Sequence, residues 1–303
     1  MAASFKNVAL AGASGHVGKA FLKALLDAGG FNVTVLKRSS SSSAFPDGVK
    51  AVDVDFESVD SLAAALAGQD VVVSALGNTA LGEEQKKLVD AAVVAGVRRF
   101  IPSEYGCDTD NELVAQLRYF APKVEVQSYL KEKAKSAPLS YTFVYTGPFL
   151  DMGLEYQVFF KTSDSKPILY DGGSTVFSTS TIPAAAEAVV AILSKPEEET
   201  KNRSIRIQSV AVSQNKLLAL VKEIAPQRDW QPEVVKLDDL TRAADERMAR
   251  GLWDPETFVP QVLRSINDPL YGPEFKVLDN EWLGLKQLTE AEVREILKKY
   301  MKD

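Results

Sequence analysis

Short apolar runs alternate with longer amphipathic ones through the first half of the chain. Val8, Ala9, Leu10 and Ala11 form a continuous apolar run that predicts a buried strand. Val17, Phe21, Leu22, Leu25 and Leu26 then recur at the spacing of one helix face. Residues 31–36 (FNVTVL) and 50–54 (KAVDV) predict the second and third strands, followed by a helix over 58–67. Residues 70–76 (DVVVSAL) predict a buried fourth strand ending at Gly77. A helix over 83–95 keeps Leu88, Ala91, Ala92 and Ala95 on one side, and residues 98–102 and 142–145 supply two more strands. Alternating strands and helices with short connections imply an α/β fold, a doubly wound parallel sheet covered on both faces.

The second half is less regular. Residues 167–183 place a turn at Gly172-Gly173 between short strands. Helices are predicted over 184–194, 213–224, 237–249 and 255–265, with a strand over 205–208. A last helix over 289–302 opens on Thr289-x-x-Glu292, a pair whose side chains satisfy each other's backbone N–H at a helix start. The pattern contains no internal repeat. It predicts a smaller α+β lobe over 156–303 built onto a domain at 1–155, with part of 170–210 returning to that domain.

The strand–turn–helix at residues 6–18 (KNVALAGASGHVG) carries glycines at 12, 15 and 18. Such a turn leaves backbone N–H groups at a helix N-terminus, where they suit a pyrophosphate. Gly12 permits the turn, Gly15 the close approach of a ligand, and Gly18 the packing of helix on sheet. Ser14, His16 and Val17 complete the candidate phosphate loop. About twenty residues further on, an NAD-binding unit places a carboxylate for the ribose 2′-OH. Here stand Lys37, Arg38 and Ser39, with no acid between residues 28 and 46. A carboxylate repels a 2′-phosphate, whereas an arginine fork binds one, so the expected cofactor is NADP(H). The low-complexity run 39–43 that follows is expected to be a loop. Ligands of such sheets lie beyond the carboxyl ends of the strands, where residues 12–18, 37–39, 74–78, 102–107 and 146–149 all fall. Asp55, Ala75, Leu76 and Gly77 therefore join the cofactor candidates.

Composition narrows the chemistry. A net charge of −6 without a basic block excludes a nucleic-acid-binding face. One cysteine, Cys107, excludes an intrachain disulfide and points to a cytoplasmic setting. No stretch approaches the length of a membrane span, and the N-terminal apolar run is too short for a signal peptide. The single histidine, His16, lies inside the phosphate turn, which leaves no base for a Ser-His-Asp site and no ligand set for zinc. Acid–base work falls to Lys, Tyr or carboxylates.

The motif Gly-Ala-Ser-Gly-His-Val-Gly, the cations ending the second strand, Ile101-Pro102-Ser103-Glu104-Tyr105-Gly106 and Tyr141-Thr142-Phe143-Val144 together resemble the NmrA-like, or isoflavone reductase-like, family. This is a family of atypical short-chain dehydrogenases. The run Tyr145-Thr146-Gly147-Pro148-Phe149-Leu150-Asp151-Met152-Gly153-Leu154 is similar to its fungal branch. The resemblance implies a Rossmann-type NADP-binding domain with a substrate-binding lobe. It also implies an NADPH-dependent reductase acting on small aromatic or conjugated metabolites. The family also contains non-catalytic NADP-sensing regulators that bind a protein partner, and a cofactor-retaining isomerase or dehydratase is the enzymatic alternative. A homodimer or a protein partner is left open.

The family's reductases carry a lysine opening the helix before the I-P-Y-T strand, which corresponds here to Lys123, or to Gln127 if an extra helical turn is placed elsewhere. A lysine in a first helical turn opposes the dipole, which favours its neutral form and a usable acid–base role. Tyr119-x-x-x-Lys123 also matches the Tyr/Lys pair of ordinary short-chain dehydrogenases, but so does Tyr129-x-x-x-Lys133. Pro122 favours a helix start that leaves Tyr119 off the helix, which makes it the weaker catalytic candidate. Phe149 is a candidate to stack on the nicotinamide. Tyr105, Phe149, Met152, Tyr156 and Phe160 are candidates to wall the substrate pocket, against core packing as the alternative for the aromatic stretch that includes Phe159. Glu104 and Asp108 have no assigned role, and Glu197-Glu198-Glu199 is expected to be a solvated loop.

Overall fold

The apolar runs of the first half become the strands of one sheet. The computed structural model describes residues 5–77, 80–162 and 165–301. In chain order it forms β1 (Asn7–Ala11), α1 (His16–Asp27), β2 (Asn32–Arg38), β3 (Lys50–Val54), α2 (Val59–Leu66), β4 (Val71–Ser74) and α3 (Glu83–Val94). There follow β5 (Arg99–Ile101), α4 (Glu112–Gln116), α5 (Ala121–Ser136), β6 (Ser140–Tyr145), α6 (Leu150–Glu155), β7 (Ile168–Tyr170) and β8 (Val176–Thr179). The remainder is α7 (Ile182–Ser194), α8 (Glu197–Thr200), β9 (Arg203–Arg206), β10 (Val210–Ser213), α9 (Gln214–Ile224) and β11 (Glu233–Val235). The chain closes with α10 (Leu237–Ala249), α11 (Pro255–Asn267), α12 (Asn280–Leu283) and α13 (Glu290–Tyr300).

Two compact units divide the chain. The first comprises residues 1–104, 122–144 and 183–205. Its sheet has the order β3-β2-β1-β4-β5-β6-β9. Every pair from β3 to β6 is parallel, so the carboxyl ends of these strands share one edge. The order reverses between β1 and β4, the place where a doubly wound sheet opens a crevice for ligand. All of β4 and all of β1 but Asn7 are buried, as continuous apolar runs require in a sheet covered on both faces. Helix α1 turns Gly18, Phe21, Leu22 and Leu25 inward.

At the start of β5 the fully buried Arg99 donates to the hydroxyls of Ser140 (2.8 Å), Thr142 (2.8 Å) and Thr200 (2.6 Å) and to the Glu197 carbonyl (2.9 Å). Burial pulls its guanidinium down to about 10. These bonds explain a difference from the sequence reading. The acidic run at 197–199 is the short helix α8 rather than a loop, with Glu198 and Glu199 solvated as expected, because Arg99 takes the Glu197 carbonyl and Arg98 its carboxylate (2.5 Å).

The second unit comprises residues 105–121, 145–182 and 206–303. Its core joins Leu150, Leu154, Phe159 and Phe160 to Phe177 and to apolar residues of α9, α11 and α13. The expected boundary at residue 155 is corrected on two counts. Segments 105–121 and 145–155 belong to the second unit, and the two units are of nearly equal length, so the second is not a smaller lobe. The cause is visible in Leu150 and Leu154, which fill the second core. The expected return of part of 170–210 to the first unit is observed as 183–205. The turn expected at Gly172-Gly173 forms between the short strands β7 and β8, closed by Gly173 N–H to the Tyr170 carbonyl (2.9 Å); β7 pairs in parallel with β11, and β8 antiparallel with β10. The capping box at Thr289 and Glu292 forms as read from the sequence. Among the described residues no helix is long and apolar enough to cross a membrane.

Candidate functional site

The turn after β1 is built from backbone contacts that exclude side chains. Gly12 has φ +82°, and a Cβ there would lie 2.3 Å from the Ala75 carbonyl oxygen. Gly15 N–H donates to the Gly12 carbonyl (3.1 Å). A Cβ on Gly18 would stand 2.1 Å from that same oxygen, so the turn and the buried face of α1 close on each other only through glycine. Gly15 differs: its φ of −75° suits any residue, and a Cβ there would meet only the Gly12 oxygen, at an ordinary 3.5 Å. Nothing among the described residues requires a glycine at 15. Gly15 caps α1 with no side-chain hydrogen bond and no acid in the first turn, while Ser14 and His16 are exposed and Val17 half-buried. First-turn amides with this charge pattern suit an anion.

Beside this turn lies a cavity of about 280 Å³ lined by Gly12, Ser14, Lys37, Arg38, Phe56 and Leu76, among others. Both cations hold carboxylates. Lys37 pairs with Asp53, and Arg38 with Glu84 at 2.5 Å while lying over the Phe56 ring at 5.5 Å. Glu84, in the first turn of α3, was not singled out from sequence because it lies 46 positions from Arg38. Ser39 is exposed in the turn after β2. Asp55 is exposed and accepts from the Glu57 N–H (2.9 Å), so that carboxylate already shapes its own turn. Past β4, Ala75 N–H donates to the Ala11 carbonyl (2.8 Å), Leu76 is buried and Gly77 exposed. The buried Ser74 hydroxyl at the end of β4 has no partner among the described residues. Asn78, also expected at this edge, lies outside the described residues.

A chain of hydrogen bonds ties the loops after β4 and β5 to the start of α5. Ser103 Oγ donates to the Leu76 carbonyl (2.9 Å), and Ser103 N–H donates to Gln85 Oε1 (2.9 Å). Gln85, almost wholly buried on α3, also donates to Leu81. The Lys123 ammonium donates to the carbonyl of the next residue, Glu104. Lys123 stands in the first turn of α5, on the side of the buried Val126, Gln127 and Leu130. Sequence reasoning missed Gln85; its only signal was a polar residue on the apolar face of a predicted helix.

Tyr119 lies off the helix, as Pro122 suggested, in the 3₁₀ turn Arg118–Phe120. Its ring stacks on Phe258 (5.6 Å) and meets the edge of Phe120 (5.1 Å). Tyr129 and Lys133 both bond Asp90, at 2.6 Å each, in a surface network.

The substrate candidates belong to the second unit and divide. Phe160 is 1% exposed and Phe159 2%, both inside the core, so the expectation that Phe160 walls a pocket is corrected. Packing against Leu154 and Phe177 consumes these rings. Phe149 is buried at the N-cap of α6 and bridges to Ser180, Met152 is half-buried, and Tyr156 is 56% exposed. Tyr105 is buried with φ +32°, a backbone that a non-glycine residue adopts only when its surroundings hold it there. Asp108 acquires a partner, Arg206, at 2.6 Å.

Comparison with known proteins agrees with this geometry. The model of the NmrA-like family matches residues 4–228. The oxidoreductase aprR of Aspergillus flavus is 35% identical over 247 residues, 80% of this chain and 82% of the relative. A crystal structure of isoflavone reductase matches with a TM-score of 0.80 at 19% identity, covering 98% of this chain and 100% of that one. A structure of AtPrR2 with NADP+ and (+)-pinoresinol matches with a TM-score of 0.79 at 19% identity, covering 98% and 99%. At those identities the two structures establish the fold, and the sequence match goes further: the chain belongs to the NmrA-like family.

Proposed function

We propose that the protein is an NADPH-dependent oxidoreductase that reduces a small aromatic or conjugated metabolite. One observation carries the reading. Within the first unit, the glycine turn, the Lys37-Arg38 pair and the Lys123 amine all stand at the carboxyl-end edge of one parallel sheet. The residues fit a phosphorylated dinucleotide. A ligand's close approach accounts for Gly15, which internal packing does not require. The first-turn amides of α1 take the pyrophosphate, and Lys37 and Arg38 take the 2′-phosphate in exchange for Asp53 and Glu84. Bound there, NADPH supplies a hydride. Lys123, oriented by the Glu104 carbonyl, holds the proton that the reduced acceptor takes up. The relative named as an oxidoreductase and the neighbour holding NADP+ with an aromatic ligand support the cofactor and the substrate class.

The test is NADPH oxidation, followed at its absorbance band, across quinones, aromatic aldehydes, enones and benzylic ethers. Turnover of at least one class is expected. An inactive panel, together with a partner retained only in one redox state, would overturn the reductase in favour of an NADP-sensing regulator.

Two glycine variants separate ligand approach from folding. Gly15→Ala is expected to keep the melting temperature and to weaken NADPH binding about tenfold, the equivalent of one lost phosphate hydrogen bond. Gly18→Ala is expected to cost about 1–3 kcal/mol of stability in urea unfolding, because its Cβ meets backbone and not a movable side chain. An unfolded Gly15→Ala would remove the argument that the glycine serves a ligand.

A further inference from the structure

The loop after β2 places a serine hydroxyl beside the two cations assigned to the 2′-phosphate. Ser41 N–H donates to the Arg38 carbonyl (2.8 Å), closing a tight turn with Ser39 and Ser40 at its corners. Ser40 and Ser41 line the same cavity as Lys37 and Arg38. The two hydroxyls differ in use: Ser41 Oγ is bonded to Ser43 (3.1 Å), whereas Ser40 is exposed and its hydroxyl makes no hydrogen bond among the described residues. From Ser39 to Val49 the connection to β3 has neither helix nor strand. From Ser39 onward it can therefore be drawn into an extended conformation without breaking a ladder or a helix, while Lys37 and Arg38 are already extended as the last two residues of β2, paired with Asp53 and Val54 of β3. Lys37 and Arg38 stand three and two positions before Ser40, the arrangement that kinases selecting basic residues recognise.

We propose that Ser40 is a phosphorylation site whose phosphate occupies the position of the cofactor's 2′-phosphate and so blocks NADPH binding. The inference rests on the NADPH reading given above. A basophilic serine kinase transfers the γ-phosphoryl group of ATP to Ser40 Oγ; the bond to ADP breaks and the hydroxyl proton is released. The product is a phosphomonoester, the same chemistry as the ribose 2′-phosphate, tethered beside the same two cations. It carries nearly two negative charges and three acceptor oxygens, against one charge on Glu84 or Asp53, and so displaces those carboxylates more effectively. A tethered competitor has a high effective concentration and shuts the subsite without disturbing the glycine turn. NADH, which has no 2′-phosphate, loses much less.

The full chain is treated with ATP and the catalytic subunit of the cyclic-AMP-dependent kinase, mapped by mass spectrometry, and titrated with NADPH and NADH. A second sample carries phosphoserine installed at position 40 by genetic encoding. Expected results are kinase incorporation at Ser40 that is lost in Ser40→Ala and slowed by saturating NADPH, whose 2′-phosphate would occupy the two cations the kinase recognises. In both phosphorylated samples NADPH affinity falls at least about tenfold and NADH affinity less than about threefold. No incorporation at Ser40, or unchanged NADPH affinity with phosphate at Ser40, would overturn the proposal while unmodified protein still prefers NADPH. Equal affinities for NADPH and NADH in the unmodified protein would instead remove the cofactor reading, and this proposal with it.

Discussion

Replacing Lys123 by Met lowers turnover by roughly 10²–10⁴-fold, the range of a lost acid–base group. NADPH binding is expected to weaken only modestly, because the proposed binding mode assigns the phosphates to the turn at 12–18 and to Lys37 and Arg38. The geometry favours Lys123 over Tyr119. The amine is turned inward onto the Glu104 carbonyl, and the Ser103–Leu76 and Ser103–Gln85 bonds fix the loop that carries Glu104. The Tyr119 ring is engaged by Phe258 and Phe120. Tyr119→Phe removes only a hydroxyl and keeps those ring contacts, so most activity is retained. Steady-state kinetics on any substrate found in the panel decides between them. An inactive Tyr119→Phe beside an active Lys123→Met would restore the ordinary dehydrogenase pair. Gln85→Leu provides a finer check: it leaves Ser103 N–H without its acceptor and should lower turnover less than loss of Lys123 does.

Changing Lys37 and Arg38 together to Ala is expected to remove the two charge-assisted contacts that the proposed binding mode gives the 2′-phosphate. At about 1.5–3 kcal/mol each, NADPH affinity falls by roughly 10²–10⁴-fold. The lower end is expected, because the Arg38 side chain is 51% exposed and screened by water. Affinity for NADH is unchanged within a factor of about two, which makes the ratio of the two dissociation constants the measurement of interest. In the free protein both carboxylates lose their partners in this variant: Asp53, 57% exposed, is left in solvent, and Glu84, 21% exposed, keeps the favourable N-terminal end of α3. An NADPH titration that the double change leaves unmoved would show that these cations serve only their carboxylates.

Local patterns were legible because they rest on short-range physics. The apolar run at 8–11, the glycines at 12, 15 and 18, the cations ending β2 and the capping box at Thr289 each involve neighbours in sequence. Strand and helix positions in the first half follow the alternation closely, since a sheet covered on both faces demands unbroken apolar strands. The lysine at the start of α5 was found through family resemblance and the proline beside it, not through periodicity.

The sequence by itself determined the fold class, the phosphate turn and the cationic end of β2, because backbone conformation and hydrophobic period are written residue by residue. Only the tertiary structure decided what each polar or aromatic side chain meets. It paired Arg38 with Glu84 across 46 positions and Arg99 with Thr200 across 101. It buried Phe159 and Phe160 in a core assembled from α9, α11 and α13, and it carried segments 105–121 and 145–155 into the second unit. An aromatic residue near a site reads the same in sequence whether it walls a pocket or fills a core. Burial depends on which distant elements cover it, and no local pattern encodes those partners.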